Sequence, residues 1–205
     1  MSSSAREMAR DRESHPDAKP LRLFIAADVP DRVKTDVASA VGPYTERIPA
    51  ARWTRSDGWH VTLKFLGATW PRLMEEVREA VRTAAARTKA FETRLTQMGV
   101  FPSPGRTRVV WVGLEDAAGR FPELVMSLDE LLAEDFGVEK RAFTPHLTLA
   151  RMNPPRNIRE FIPDLVGTAV PSDPFMIDRL VLYRSHLSPK GATYEPLLEA
   201  PLGAG

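Results

Sequence analysis

Two short stretches carry the residue types that could do chemistry. His60-Val61-Thr62-Leu63 and His146-Leu147-Thr148-Leu149 repeat one pattern, His-x-Thr-Leu, at an offset of 146 − 60 = 86 positions. Two of the four histidines in the chain open it. An imidazole, with an ordinary pKa near ~6.5, takes or gives a proton close to neutral pH. One could act as general base on a water and the other, protonated, as general acid on a departing alkoxide. A hydroxyl two residues on can donate to the non-bridging oxygens of a phosphate, where negative charge gathers. Such a set suits an in-line displacement at a phosphate ester. The two copies are alike, so the residues alone do not say which histidine is the acid.

A metal site is the competing reading. Two-histidine sites ordinarily add a carboxylate or a third histidine. The adjacent same-face positions here are Gly58 and Thr144, and the chain has no cysteine. His186 could add a ligand, but it adjoins a turn and is expected to face solvent. The doubled motif therefore reads as acid and base, with no metal and no cofactor.

The chemistry needs strands. Side chains alternate across a strand, so His60 and Thr62 share one face while Val61 and Leu63 share the other, and the second copy repeats this. By the same count Arg151, three residues past Thr148, falls on the opposite face. A bulge or bend would be needed to bring it to a phosphate.

The expected strands are Leu21 to Ala27, Arg52 to Thr54, Trp59 to Leu66, Phe91 to Leu95, Arg108 to Leu114, Thr144 to Arg151, Phe175 to Ser185 and Thr193 to Leu198. Helices are expected over Arg32 to Val41 (stopped by Gly42-Pro43), Pro71 to Lys89 and Phe121 to Phe136, with a short weak one from Pro154 to Phe161. Gly99 to Gly105 reads as a loop. Each half thus places an amphipathic helix and a motif strand in similar order. The fold class is α+β: two related lobes, each a mostly antiparallel sheet with outer helices, and the active-site groove between them.

Composition narrows the setting. The 205 residues include 43% hydrophobic ones, enough for one core. The net charge is +1, so no global field draws the chain to long RNA or to a membrane, and any basic site is local. Lys64, Arg106, Arg108, Arg141 and Arg151 are the local candidates; a solvated face accounts for most of them. Residues 1–20 carry no apolar run and are expected to be a disordered tail rather than a secretory signal, with His15 in solvent. Residues 21–199 form the domain and 200–205 a flexible end. The absence of cysteine fits a reducing cytoplasm.

The chain resembles the 2H phosphoesterase superfamily, and within it the bacterial RNA 2′,3′-cyclic phosphodiesterases, also called 2′-5′ RNA ligases. Both His-x-Thr-Leu stretches carry the resemblance, with Leu21 to Ala26, Arg108 to Gly113, Phe143-Thr144-Pro145, and Leu182-Tyr183-Arg184-Ser185 with Tyr194. It implies hydrolysis of a terminal 2′,3′-cyclic phosphate to a 2′-phosphate without metal. It implies His60 as general acid on the 3′ oxygen and His146 as general base on water. Thr62, Thr148 and Arg151 match the residues that hold phosphate. Trp59 points away from His60 and reads as core. Phe143 is equally a base-stacking residue and a core residue. RNA 3′ ends or small cyclic nucleotides are the implied partners of a monomer with no membrane contact. Two other readings share the residues: 2′-5′ joining of RNA by the reverse reaction, and a non-catalytic module that clamps RNA ends.

Overall fold

The computed structural model describes residues 19–48, 51–159, 163–189 and 191–203. Apart from Lys19 and Pro20, the expected tail and its His15 lie outside them. Strands β1 (Leu21–Asp28), β2 (Arg52–Trp53), β3 (His60–Thr69), β5 (Leu95–Phe101), β6 (Thr107–Leu114), β7 (His146–Arg156), β9 (Arg179–Ser188) and β10 (Gly191–Pro201) build the main sheet. Its order is β10-β9-β1-β3-β7-β6-β5, with β2 also on β7. Every pairing in it is antiparallel. β4 (Phe91–Thr93) and β8 (Phe175–Ile177) form a separate two-stranded sheet. The two expected lobes are the halves of the main sheet, and they meet where β3 and β7 pair only at Val61 and Leu147.

Helices α1 (Asp31–Thr45), α2 (Met74–Arg87) and α3 (Arg120–Phe136) supply apolar stripes to the core. α2 buries Val77, Ala80, Val81, Ala84 and Ala85, and α3 buries Phe121, Leu124, Val125, Leu128 and Leu132, both at helical spacing. α2 packs on α3 and on β9 and β10, while α3 packs on β3. Val61, Leu63, Leu147 and Leu149 point into this core. The other face of β3 and β7 is left for the histidines. No helix among the described residues is long and apolar enough to cross a membrane.

Several expected boundaries move. α1 does not stop at Gly42-Pro43 but runs on to Thr45. Both residues are exposed, so the hydrogen bond that proline cannot donate is lost on the wet side, while buried Val41 and Tyr44 hold the last turn to the core. Gly99 is not in a loop. It lies in β5 between buried Met98 and Val100, and it is glycine because the Trp111 indole crosses it: a Cβ there would sit 2.2 Å from that ring. Pro154-Pro155 does not open a helix but continues β7, whose pairing with β6 skips from Arg151 to Arg156 past residues that include these two non-donors. The expected long strand from Phe175 breaks at Asp178, where the chain passes from the small sheet to the main one. Residues 200–203 are not flexible: Ala200 and Leu202 are buried, and the Gly203 amide donates to Thr88.

Candidate active site

With Val61 opposite Leu147, one step either way along the antiparallel pair sets His60 opposite Thr148 and Thr62 opposite His146. Each imidazole therefore faces the hydroxyl of the other copy. The alternation of burial agrees: Val61 and Leu147 are fully buried, while His60, Thr62, His146 and Thr148 are half-buried on the cleft side.

Both strands then break alternation at the same point. Ala26 pairs with Thr62 and Ile25 with Lys64, so Leu63 is an extra residue in β3. Trp111 pairs with Thr148 and Val110 with Ala150, so Leu149 is the extra residue in β7. These are β-bulges, and each turns the following side chains over by one position. In β7 the bulge buries Leu149 and Ala150 in succession and returns Arg151 to the histidine face. The bend that alternation required for Arg151 is present. In β3 the same device delivers Phe65, which is 62% exposed, to the matching position. A second bulge passes through Gly67, whose φ of +69° suits glycine, so β3 does not close there but reaches Thr69.

A cleft of about 430 Å³ lies over this seam and is lined by His60, Thr62, Thr148 and Arg151. His146 is not among the residues that line this cleft; its ring packs against Phe101 and Trp111 at separations of 5.2 Å and 6.2 Å. Its Nδ1 lies 2.7 Å from the Thr144 carbonyl oxygen. A carbonyl can only accept, so Nδ1 carries the hydrogen and Nε2 keeps its lone pair for a substrate.

His60 is fixed by aromatic rings. It stacks on Phe24 at 4.8 Å, lies 5.6 Å from the Tyr183 ring, and meets Tyr194 edge-on at 5.1 Å. Tyr183 in turn donates its hydroxyl to Asp28 Oδ1 at 2.8 Å. Burial and that carboxylate raise the phenol well above its ordinary value, so it stays protonated as the donor.

Both imidazoles are held below their ordinary pKa. Burial, then the charges of Arg151 and Lys34, lower His60 to about 4. Burial also lowers His146, opposed by its bond to the Thr144 carbonyl and aided by Arg151. Arg151 thus acts on both histidines, and burial beside a cation favours neutral rings. An anion entering there offsets the arginine and raises both values.

Other expected residues sit elsewhere. Phe143 is not at the cleft; its ring lies 6.4 Å from that of buried Phe121. Trp59 is buried as expected, and its indole donates to Thr54 Oγ1 at 2.8 Å. Thr54 Oγ1 lies 2.8 Å from the carbonyls of Thr148 and Leu149, so the pair clips β2 across the β7 bulge. Lys64 is not a cleft cation. It is 7% exposed, pairs with Asp129 on α3 and donates to the Gly137 carbonyl at 2.7 Å. His186 is part-exposed and 2.8 Å from Glu195. Arg22, Phe24, Thr54 and Phe65 line the cleft and escaped sequence reasoning. A signal existed for three of them: Arg22 and Phe24 share a face of β1 by period two, and Phe65 stands as far past His60 as Arg151 does past His146.

The sequence profile of the 2′-5′ RNA ligase superfamily matches residues 29–189. The chain belongs to the 2′-5′ RNA ligase superfamily. Within that superfamily it is similar to an RNA 2′,3′-cyclic phosphodiesterase of Methanothermobacter thermautotrophicus, 30% identical over 177 residues covering 85% of this chain and 95% of that one. A protein of the same name from Thermotoga maritima is 29% identical over 187 residues, covering 90% and 97%. A crystal structure of a Thermus thermophilus protein superposes with a TM-score of 0.74 at 27% identity, covering 90% of this chain and 99% of that one. The E. coli LigT structure complexed with 3′-AMP shares the fold, with a TM-score of 0.71 at 22% identity over 90% and 99% of the two chains.

Proposed function

We propose that the cleft hydrolyses a 2′,3′-cyclic phosphate, at an RNA 3′ end or on a small nucleotide, to the 2′-phosphomonoester. The observation that carries this reading is the crossed pair at the seam, each histidine opposite the other copy's threonine, with Arg151 acting on both. A phosphate seated there meets two hydroxyl donors and a guanidinium at its non-bridging oxygens, and one imidazole from each lobe.

His146 is the base. With its Nδ1 hydrogen given to Thr144, Nε2 takes a proton from water as the oxygen attacks phosphorus. His60 is the acid and gives its proton to the 3′ oxygen as the P–O bond breaks. The depressed pKa of His60 runs against that role, and the substrate supplies the correction. A phosphate anion beside His60 offsets Arg151 and favours the imidazolium. Exposed Phe65, on the same cleft wall, offers a face to a base.

The superfamily's cyclic phosphodiesterases support the reaction class. We read the working unit as a monomer that acts on RNA ends in the cytoplasm. The test is incubation, in excess chelator, with an oligonucleotide ending in 2′,3′-cyclic phosphate. Accumulation of a 2′-phosphate end is expected. A 3′-phosphate product, or no turnover, would overturn the reading.

A further inference from the structure

The charge of this chain is unevenly placed. Residues 95–114 and 141–159 contain six arginines (106, 108, 141, 151, 156 and 159), no lysine and no Asp or Glu. With those six removed from the 28 cations, 22 remain against 27 carboxylates, so a chain of net charge +1 is a local excess of +6 beside a remainder of −5. The two segments hold β5, β6 and β7, one half of the sheet.

Most arginines outside this half are neutralised: Arg47, Arg82, Arg94, Arg120 and Arg179 each have a carboxylate within 3.5 Å. Among the described residues, Arg52, Arg106, Arg108, Arg151, Arg156 and Arg159 have none, and neither do Arg22, Arg32 and Arg78 outside this half, while Arg141 pairs with Glu139. Register places three of them on the cleft face. Arg52 is directly opposite Arg151 and two residues before cleft-lining Thr54. Arg156 is opposite Thr107, two residues from Val109, which is itself opposite Arg151. Arg159 continues the path, its guanidinium over Gly105 beside Arg106. Their partners Val109 and Thr107 are two strand steps apart, so the ladder positions of Arg151 and Arg156 are about 7 Å apart at about 3.3 Å a step. Unpaired guanidiniums spaced along a strand and starting at a phosphate site match a chain of phosphates.

We infer that this track of arginines binds the phosphodiester backbone of the RNA nucleotides preceding the terminal phosphate, making a single-stranded oligonucleotide end, rather than a free cyclic nucleotide, the preferred substrate. The inference rests on the proposed reaction for its direction: the terminal phosphate lies at Arg151 and the chain leads away toward Arg156. The small net charge does not oppose it, because the excess is confined to one half of the sheet.

The test uses a 5′-labelled hexaribonucleotide ending in 2′,3′-cyclic phosphate. Binding is measured by anisotropy to His146→Ala protein, so that no turnover intervenes, with and without Arg52→Gln and Arg156→Gln together. The two changes are expected to weaken binding on the order of 10-fold and to flatten the slope of log affinity against log salt by about 1.4, since each single-strand phosphate contact contributes about 0.7. In protein with His146 intact, kcat/KM for a cyclic mononucleotide is expected to be the same with and without the two changes. Unchanged oligonucleotide affinity and salt slope would overturn the inference, and is the result expected if the track serves an acidic protein instead. Equal losses on oligonucleotide and mononucleotide would also overturn it, by placing the effect at Arg151. Failure of every cyclic phosphate to turn over would sink the proposed reaction, while the binding measurement would still decide the track.

Discussion

His60 and His146 are chemically the same residue in the same motif, yet their surroundings differ in a way that fits the different work proposed for them. His146 has one ring nitrogen committed to a carbonyl, which leaves a defined acceptor. His60 is gripped by rings, Phe24, Tyr183 and Tyr194, which fix its plane without fixing its tautomer. Replacing either by Ala is expected to lower kcat by roughly 10²- to 10⁴-fold, the usual worth of a general acid or base, as read by product formation from a cyclic-phosphate oligonucleotide. The pH dependence follows from the two depressions. kcat/KM reports the free enzyme, where the proposed mechanism needs His146 neutral and His60 protonated. With His60 near 4 and His146 below 6.5, the bell is expected to peak on the acid side of 6.5 and to fall as pH rises through neutrality. In the complex, bound phosphate raises His60, so the basic limb of kcat is expected to lie at higher pH than that of kcat/KM. Profiles of both constants between pH 4 and 9 decide this; a flat kcat/KM across pH 5 to 9 would remove the two-histidine mechanism.

The elements show why the site was legible in part. Period-two alternation put His60 with Thr62 and His146 with Thr148, and the structure has both pairs, because alternation is a property of the backbone alone. The bulges at Leu63 and Leu149 were not legible, since an extra residue in a ladder is defined by its partner strand rather than by its own sequence. They decide where Arg151 and Phe65 point. Gly99 misled for a related reason: a glycine that makes room for an indole reads, in sequence, like a glycine that makes a turn. Lys64 follows the β3 bulge and is carried inward, where Asp129 neutralises it and also accepts the Glu139 amide. Lys64→Met is expected to leave that carboxylate buried and unpaired, costing about 3–5 kcal/mol in urea unfolding, with much of the loss recovered when Asp129→Leu is added. A single and a double variant of equal stability would assign the ion pair no such part.

At the scale of the whole molecule, one sheet is assembled from two halves that are each well paired and whose central strands β3 and β7 share little direct pairing. β1 pairs with β3 over eight positions and β6 with β7 over six, whereas β3 and β7 share one. Each half brings one imidazole and one hydroxyl to the boundary, and the register crosses them. Whatever binds there must therefore touch both halves at once. In the proposed reaction the substrate phosphate is then a rivet as well as a reactant: it bridges two strands that pair at one position. A 2′-phosphomonoester product at about 100 times its Kd is expected to add about 2.7 kcal/mol to the stability of the protein. Hydrogen exchange should show the gain at His60–Leu63 and His146–Leu149 together, and protection confined to one strand would mean that the two halves do not share the phosphate. On this view turnover is a cycle of fastening and release between two lobes that carry the same four-residue signature.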